Sequence, residues 1–136
     1  PRGRFHLVTR GTPHTERSLA VRVETERGVL GYTGDTGPDP GLGPFFQGVD
    51  ALISECSHLP GMGMDTHLTP DDVASLGTAA SPELLVTVHT YPPLLPRDVP
   101  ELVARAGYDG RVLPGRDGLG LDLGLGGVEI LEPGHP

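Results

Sequence analysis

Apolar residues in this chain fall into short runs cut by turn-forming residues, and the period of each run predicts its element. Phe5–Val8 reads as a strand and residues 11–17 as a loop. In "SLAVRVET", Leu19, Val21 and Val23 alternate with Ala20, Arg22 and Glu24, the mark of a half-exposed strand. A turn at Glu26-Arg27-Gly28 leads into "GVLGYTG", which makes a hairpin. Residues 39–48 read as a loop with one helical turn, "ALISE" as a buried strand, and "HLPGMGMDTH" as a glycine-rich loop. Thr69 then stands as a helix N-cap, with Pro70 at the first position and Asp71 and Asp72 in the first turn, so a helix is predicted to about Ala80. "LLVTVH" reads as a strand and "TYPPLLPR" as a loop. A second helix is expected from a cap at Asp98 to Ala106, with Gly107 ending it. "GRVLP" and "LGLDLGLGGVEILEP" supply short final strands. Strands and helices alternate after residue 48, so the expected class is α/β, a layered α+β arrangement.

Composition changes this picture in three ways. The 21 glycines and 15 prolines among 136 residues approach a disordered composition, but the apolar runs between them are buried-strand signals. The formal net charge of -8 argues against a broad nucleic-acid surface, though a bound metal would add charge locally. A single cysteine, Cys56, excludes an internal disulfide and points to a reduced, cytoplasmic setting. No apolar stretch approaches the roughly 20 residues of a membrane helix.

The candidate chemistry lies at strand ends. His14 precedes a strand, Asp35, Glu55 and His89 each close one, and His58 and His67 share a loop. Imidazole with carboxylate is a ligand set for zinc or another transition metal. Each residue also has a plain reading. His14 alone in a loop is a solvated histidine or a ligand, and Asp35 in "TGDTG" is a turn-former or a site carboxylate. Glu55 ends an apolar strand and needs a partner, because an unpaired buried charge is costly. His89 ends "LLVTV" beside the core and needs a hydrogen-bond partner or a metal, whereas His67 is either exposed or functional. His6, His58 and His135 have no second support, "DTH" at Asp65–His67 is a weak ligand spacing, and Cys56 reads as buried and inert. No P-loop, dinucleotide fingerprint or nucleophile elbow is present.

"HTERSLAVRVE", "YTGDTGP", "ALISECSH", "THLTP" and "VTVHTYPP" occur in the order of the second half of the metallo-β-lactamase superfamily. More narrowly, residues 5–123 resemble the branch close to ribonuclease Z. The resemblance implies that residues 1–136 are the C-terminal half of an αββα sandwich, with a mixed sheet and flanking helices. The absent N-terminal half would carry "HxHxDH", a run not found here. The first residue is not Met and the chain opens inside an expected strand, which suggests a cut from a longer protein. The resemblance further implies two divalent ions, zinc first with manganese or iron as alternatives. His14 would bind one ion, Asp35 would bridge both, and His89 would bind the other. Bridging hydroxide would be the nucleophile. Glu55 would orient His67 to protonate the leaving group, and the glycines near Asp35 would let metal and substrate approach the backbone. In this chain Cys56-Ser57 replaces the usual Ala-Thr after the glutamate. The tRNA-clasping arm of short ribonuclease Z enzymes is absent between His14 and Asp35, which argues against tRNA processing.

The expected activity is metal-dependent hydrolysis of a small-molecule or nucleotide phosphodiester. One competing function keeps the enzyme but changes the bond to another ester, a lactone or a thioester. The other is a non-catalytic half-domain. Such a half would expose an apolar face, so the expected assembly is a homo-oligomer or a pairing with the missing half.

Overall fold

The structure is a computed structural model that describes residues 4–62 and 65–131. Its centre is a six-stranded sheet whose neighbours run in chain order. Strands β1 (Phe5–Gly11), β2 (Leu19–Thr25) and β3 (Val29–Tyr32) form an antiparallel meander. Strands β4 (Ala51–Glu55), β5 (Leu84–Val88) and β6 (Val112–Pro114) continue from β3 in parallel, which makes the sheet mixed. The parallel strands need crossovers, and helices supply them. These are α1 (Leu42–Phe46) between β3 and β4, α2 (Pro70–Ala80) between β4 and β5, and α3 (Val99–Arg105) between β5 and β6.

The expected local signals operate in α2. Thr69 Oγ1 accepts from the Asp72 amide while the Asp72 carboxylate accepts from the Thr69 amide, a reciprocal capping box. At α3 the expected cap is only partly realised. Asp98 holds the N-cap position, but its side chain makes no capping bond, because a 3-10 turn over Pro96–Asp98 leads the chain into the helix.

The helices cover one face of the sheet. Ala20, Leu52 and Leu85 from the strands pack there with Phe46, Val73, Ala74, Val99, Val103 and Tyr108. The opposite face is covered only in part, by a separate hairpin of β7 (Gly120–Gly124) and β8 (Gly127–Leu131). Leu121, Leu123, Val128 and Ile130 of the hairpin pack on Ala51, Leu84 and Val86. Arg27 Nε donates to the Leu123 carbonyl at 3.0 Å, and Glu83 Oε1 accepts from the Val128 amide at 2.8 Å, so both strands of the hairpin are tied down near its turn.

Over β1 to β3 that second face is open. Leu7, Val23 and Leu30 align across the strands, as do Val21, Tyr32 and Ile53. Val21, Val23, Leu30, Tyr32, Ile53, Val88 and His89 line a broad apolar trough of about 640 Å³. Phe5 is 66% and Leu7 52% exposed. The alternation expected for β2 is therefore present with its sides exchanged. Ala20 is fully buried under the helices, and Leu19 on the apolar stripe is 48% exposed. Arg22, on the helix side, donates to the Phe45 and Gln47 carbonyls at 2.9 Å and holds the end of α1. Among the described residues no helix is long and apolar enough to cross a membrane. His135, one of the unsupported histidines, lies outside the described residues.

Candidate metal centre and acid pair

The C-terminal ends of β3, β4 and β5 lie side by side, and loops at the strand ends of a rigid sheet are where reactive side chains gather. All five residues singled out in the sequence meet there. Asp35 follows β3, Glu55 ends β4, His67 lies in the β4–α2 loop, His89 follows β5, and His14 enters from the β1–β2 loop. The His67 ring is 4.7 Å from that of His14 and 5.3 Å from that of His89.

Asp35 and Glu55 have opposite surroundings. The Asp35 side chain is 38% exposed, and its two oxygens face different imidazoles. Oδ2 is 3.8 Å from His14 Nε2, and Oδ1 is 3.6 Å from His89 Nε2. Glu55 is 1% exposed and accepts four hydrogen bonds. Its Oε1 accepts from the Thr36 amide at 2.7 Å and from His67 Nδ1 at 2.9 Å. Its Oε2 accepts from Ser57 Oγ at 2.6 Å and from the Leu68 amide at 3.0 Å. The buried charge thus has its partners, and His67 is one of them.

Two sets of residues could hold a metal. Ligand atoms of Glu55, His67 and His89 all lie within 4.8 Å of one another. A carboxylate offers about four lone-pair sites, however, and those of Glu55 are taken. The other set is His14, Asp35 and His89. A nitrogen and an oxygen sharing one tetrahedral ion at about 2.1 Å stand about 3.4 Å apart. The gaps of 3.6 and 3.8 Å are close to that and longer than hydrogen bonds. His14 Nδ1 lies 3.0 Å from the Thr66 carbonyl, which can only accept. The proton is therefore on Nδ1, and the Nε2 lone pair faces Asp35, the arrangement metal-binding histidines adopt.

The glycines near Asp35 serve a different purpose from the one expected. Gly34 has φ +58, and a Cβ there would stand 2.5 Å from the Leu19 carbonyl oxygen. A Cβ on Gly37 would stand 1.9 Å from the Asp65 carbonyl oxygen. The space is filled by neighbouring backbone, so these glycines join loops instead of admitting a ligand. The Gly37 amide donates to the Pro13 carbonyl at 2.9 Å, and Thr12 Oγ1 donates to the Asp35 carbonyl at 2.9 Å. These bonds bring the His14 and Asp35 loops together.

Three further residues border the site: Ser57 and Tyr91, to which sequence reasoning gave no role, and His58, which it left without second support. Ser57 Oγ touches Glu55 and His89, Tyr91 Oη lies 3.3 Å from His89 Nε2, and His58 stacks on Tyr91 at 5.8 Å. His58 Nδ1 is buried without a partner, in a ring edge-on to His67 at 5.6 Å. Only Ser57 carried a signal, as the hydroxyl residue two positions after Glu55. Asp65 lines a cavity with His58 and His67, and His6 pairs with Glu24 at the far edge of the sheet. Burial, followed by the charges of Glu55 and Asp72, pushes the Cys56 thiol up to about 12. That fits the expected inert cysteine.

No family model matches the chain by sequence, and no curated protein matches it. Solved structures do. The metallo-β-lactamase fold protein YhfI from Bacillus subtilis superposes with a TM-score of 0.75 at 20% identity, over 82% of this chain and 47% of that one. Igni18, a metallo hydrolase from Ignicoccus hospitalis, gives 0.65 at 14% identity, over 94% and 53%. A long form RNase Z from yeast gives 0.63 at 17% identity, over 82% of this chain and 17% of the enzyme. At these identities the likeness speaks for the fold and does not select the ribonuclease Z branch. The chain spans about half the length, or less, of these structures. With its six-stranded mixed sheet and flanking helices, it has the fold of about half of a metallo-β-lactamase-fold protein.

Proposed function

We propose that this chain is part of a metal-dependent hydrolase of phosphodiesters. The observation that carries the reading is Asp35, whose two oxygens face His14 and His89 at near-ligand spacing. His14, Asp35 and His89 would hold two divalent ions, with Asp35 bridging. Two imidazoles and a carboxylate suit zinc first, with manganese or iron as alternatives. When bound, the ions supply Lewis acidity and a water whose pKa falls toward about 7.

The chain's own residues do the rest. Glu55 fixes His67 through Nδ1, which leaves Nε2 to give a proton to the departing alkoxide. The Glu55 charge stabilises the imidazolium before transfer. An alkoxide needs that proton and a thiolate does not, so the closed Glu55–His67 pair favours an oxygen leaving group over a thioester. Structures similar in fold include a diphosphatase of the PhnP family, which supports a phosphate substrate without identifying it.

Three protein ligands are too few for two ions. We assign the remaining ligands to a segment outside residues 1–136, the N-terminal half of the domain, seated on the open apolar face. The trough on that face is lined by His89 itself, so whatever covers it lies beside the site. Metal analysis and a phosphodiesterase assay on the intact protein test the reading. Asp35→Ala is expected to lose bound metal and activity together. Unchanged metal content in that variant would sink the assignment.

A further inference from the structure

Ser57 is fully buried, and its side chain has more neighbours than its single proton can serve. Oγ lies 2.6 Å from Glu55 Oε2, 2.8 Å from the His89 carbonyl oxygen, 3.0 Å from His89 Nδ1 and 3.4 Å from His67 Nδ1. The first two are oxygens that can only accept, and the hydroxyl proton goes to Glu55 Oε2, the charged and nearer of the two. If Ser57 donated to His89 Nδ1 instead, its oxygen would meet the carboxylate lone pair to lone pair at 2.6 Å. His89 Nδ1 must therefore carry a proton and donate it to Ser57.

We infer that Ser57 is the positioning residue that sets the tautomer and orientation of His89. With the proton on Nδ1, the lone pair is on Nε2, the atom that faces Asp35 at 3.6 Å. The backbone supports the same role. His89 has φ +59, a left-handed conformation that is unfavourable for a non-glycine residue and persists only where neighbours hold it. The residues around Ser57 supply those holds. The Cys56 amide donates to the Val88 carbonyl at 2.9 Å, and the Tyr91 amide donates to the Ser57 carbonyl at 3.1 Å. One hydroxyl thus joins the acid pair to a metal ligand, and the order of the Glu55–His67 pair is transmitted to His89.

This inference rests on the reading of His89 as a ligand, and the test separates the two. Zn²⁺ affinity of the intact protein is measured by chelator competition for the wild type and for Ser57→Ala, Ser57→Thr and His89→Ala. Long-range ¹H–¹⁵N correlations in metal-stripped protein report the His89 tautomer. The wild type is expected to show Nδ1–H. Ser57→Ala is expected to lose that preference and to bind Zn²⁺ about 10–100-fold more weakly. Ser57→Thr, which keeps the hydroxyl, is expected to restore both. Unchanged affinity in Ser57→Ala beside a large loss in His89→Ala overturns the role of Ser57 alone. No loss in His89→Ala overturns the ligand reading itself. Should Ser57→Ala fail to fold, the wild-type tautomer decides, and a proton on Nε2 of His89 overturns the inference.

Discussion

His67 and Asp35 lie in one site but would fail in different ways. His67 is fixed by a buried carboxylate, whereas Asp35 is exposed between two imidazoles. His67→Ala is therefore expected to keep its metal and to lose about 10²–10⁴-fold in activity on a phosphodiester with an alkyl leaving group. With a nitrophenyl leaving group, which departs without a proton, the loss is expected to shrink to a few-fold. Steady-state rates on the two substrates check this, and equal losses on both would remove His67 from the acid role. Of the residues involved, Glu55 was legible because a carboxylate closing an apolar strand demands a partner. Ser57 had only its place two residues after Glu55 to mark it, because its contacts with His67 and His89 are 10 and 32 positions away.

At the scale of elements, local chemistry was legible and sidedness was not. The start of α2 is written in adjacent residues, and the structure shows the reciprocal bonds between Thr69 and Asp72. That cap also bounds the loop that carries His67 and Leu68 to Glu55. Thr69→Ala is expected to cost about 1 kcal/mol, seen as a lower urea midpoint with an unchanged slope. An unchanged midpoint would mean the cap contributes nothing to stability. The face of β2 is a different matter. Period 2 marks two sides of a strand but not which one the rest of the chain covers. Here the helices lie over Ala20 and Arg22, and the stripe of Val21 and Val23 is left at the trough.

For the whole molecule, that trough is expected to govern association. Phe5, Leu7, Leu19 and Tyr32 are all exposed on one sheet face, and contiguous exposed apolar residues of this kind mark association sites. Produced by itself, this chain is expected to self-associate through the face. Leu7→Asp with Tyr32→Asp is expected to shift its sedimentation toward the monomer while leaving far-UV circular dichroism unchanged. A wild-type chain that sediments as a monomer at high concentration would count against the docking role of the face. The alternation along β2 disclosed that this strand has an apolar side. No residue of this chain specifies a partner for that side, and the missing half expected there comes from the family resemblance alone.

The four hydrogen bonds on Glu55 also carry information about motion. Two of them come from backbone amides, those of Thr36 and Leu68, which belong to loops distant in sequence. Neither amide can meet solvent until the same buried carboxylate lets go, so the two protons should exchange with deuterium at matched rates, through one shared opening. That pair of amides is a clock for the site, readable without substrate or metal, and its rate measures how often the acid pair comes apart.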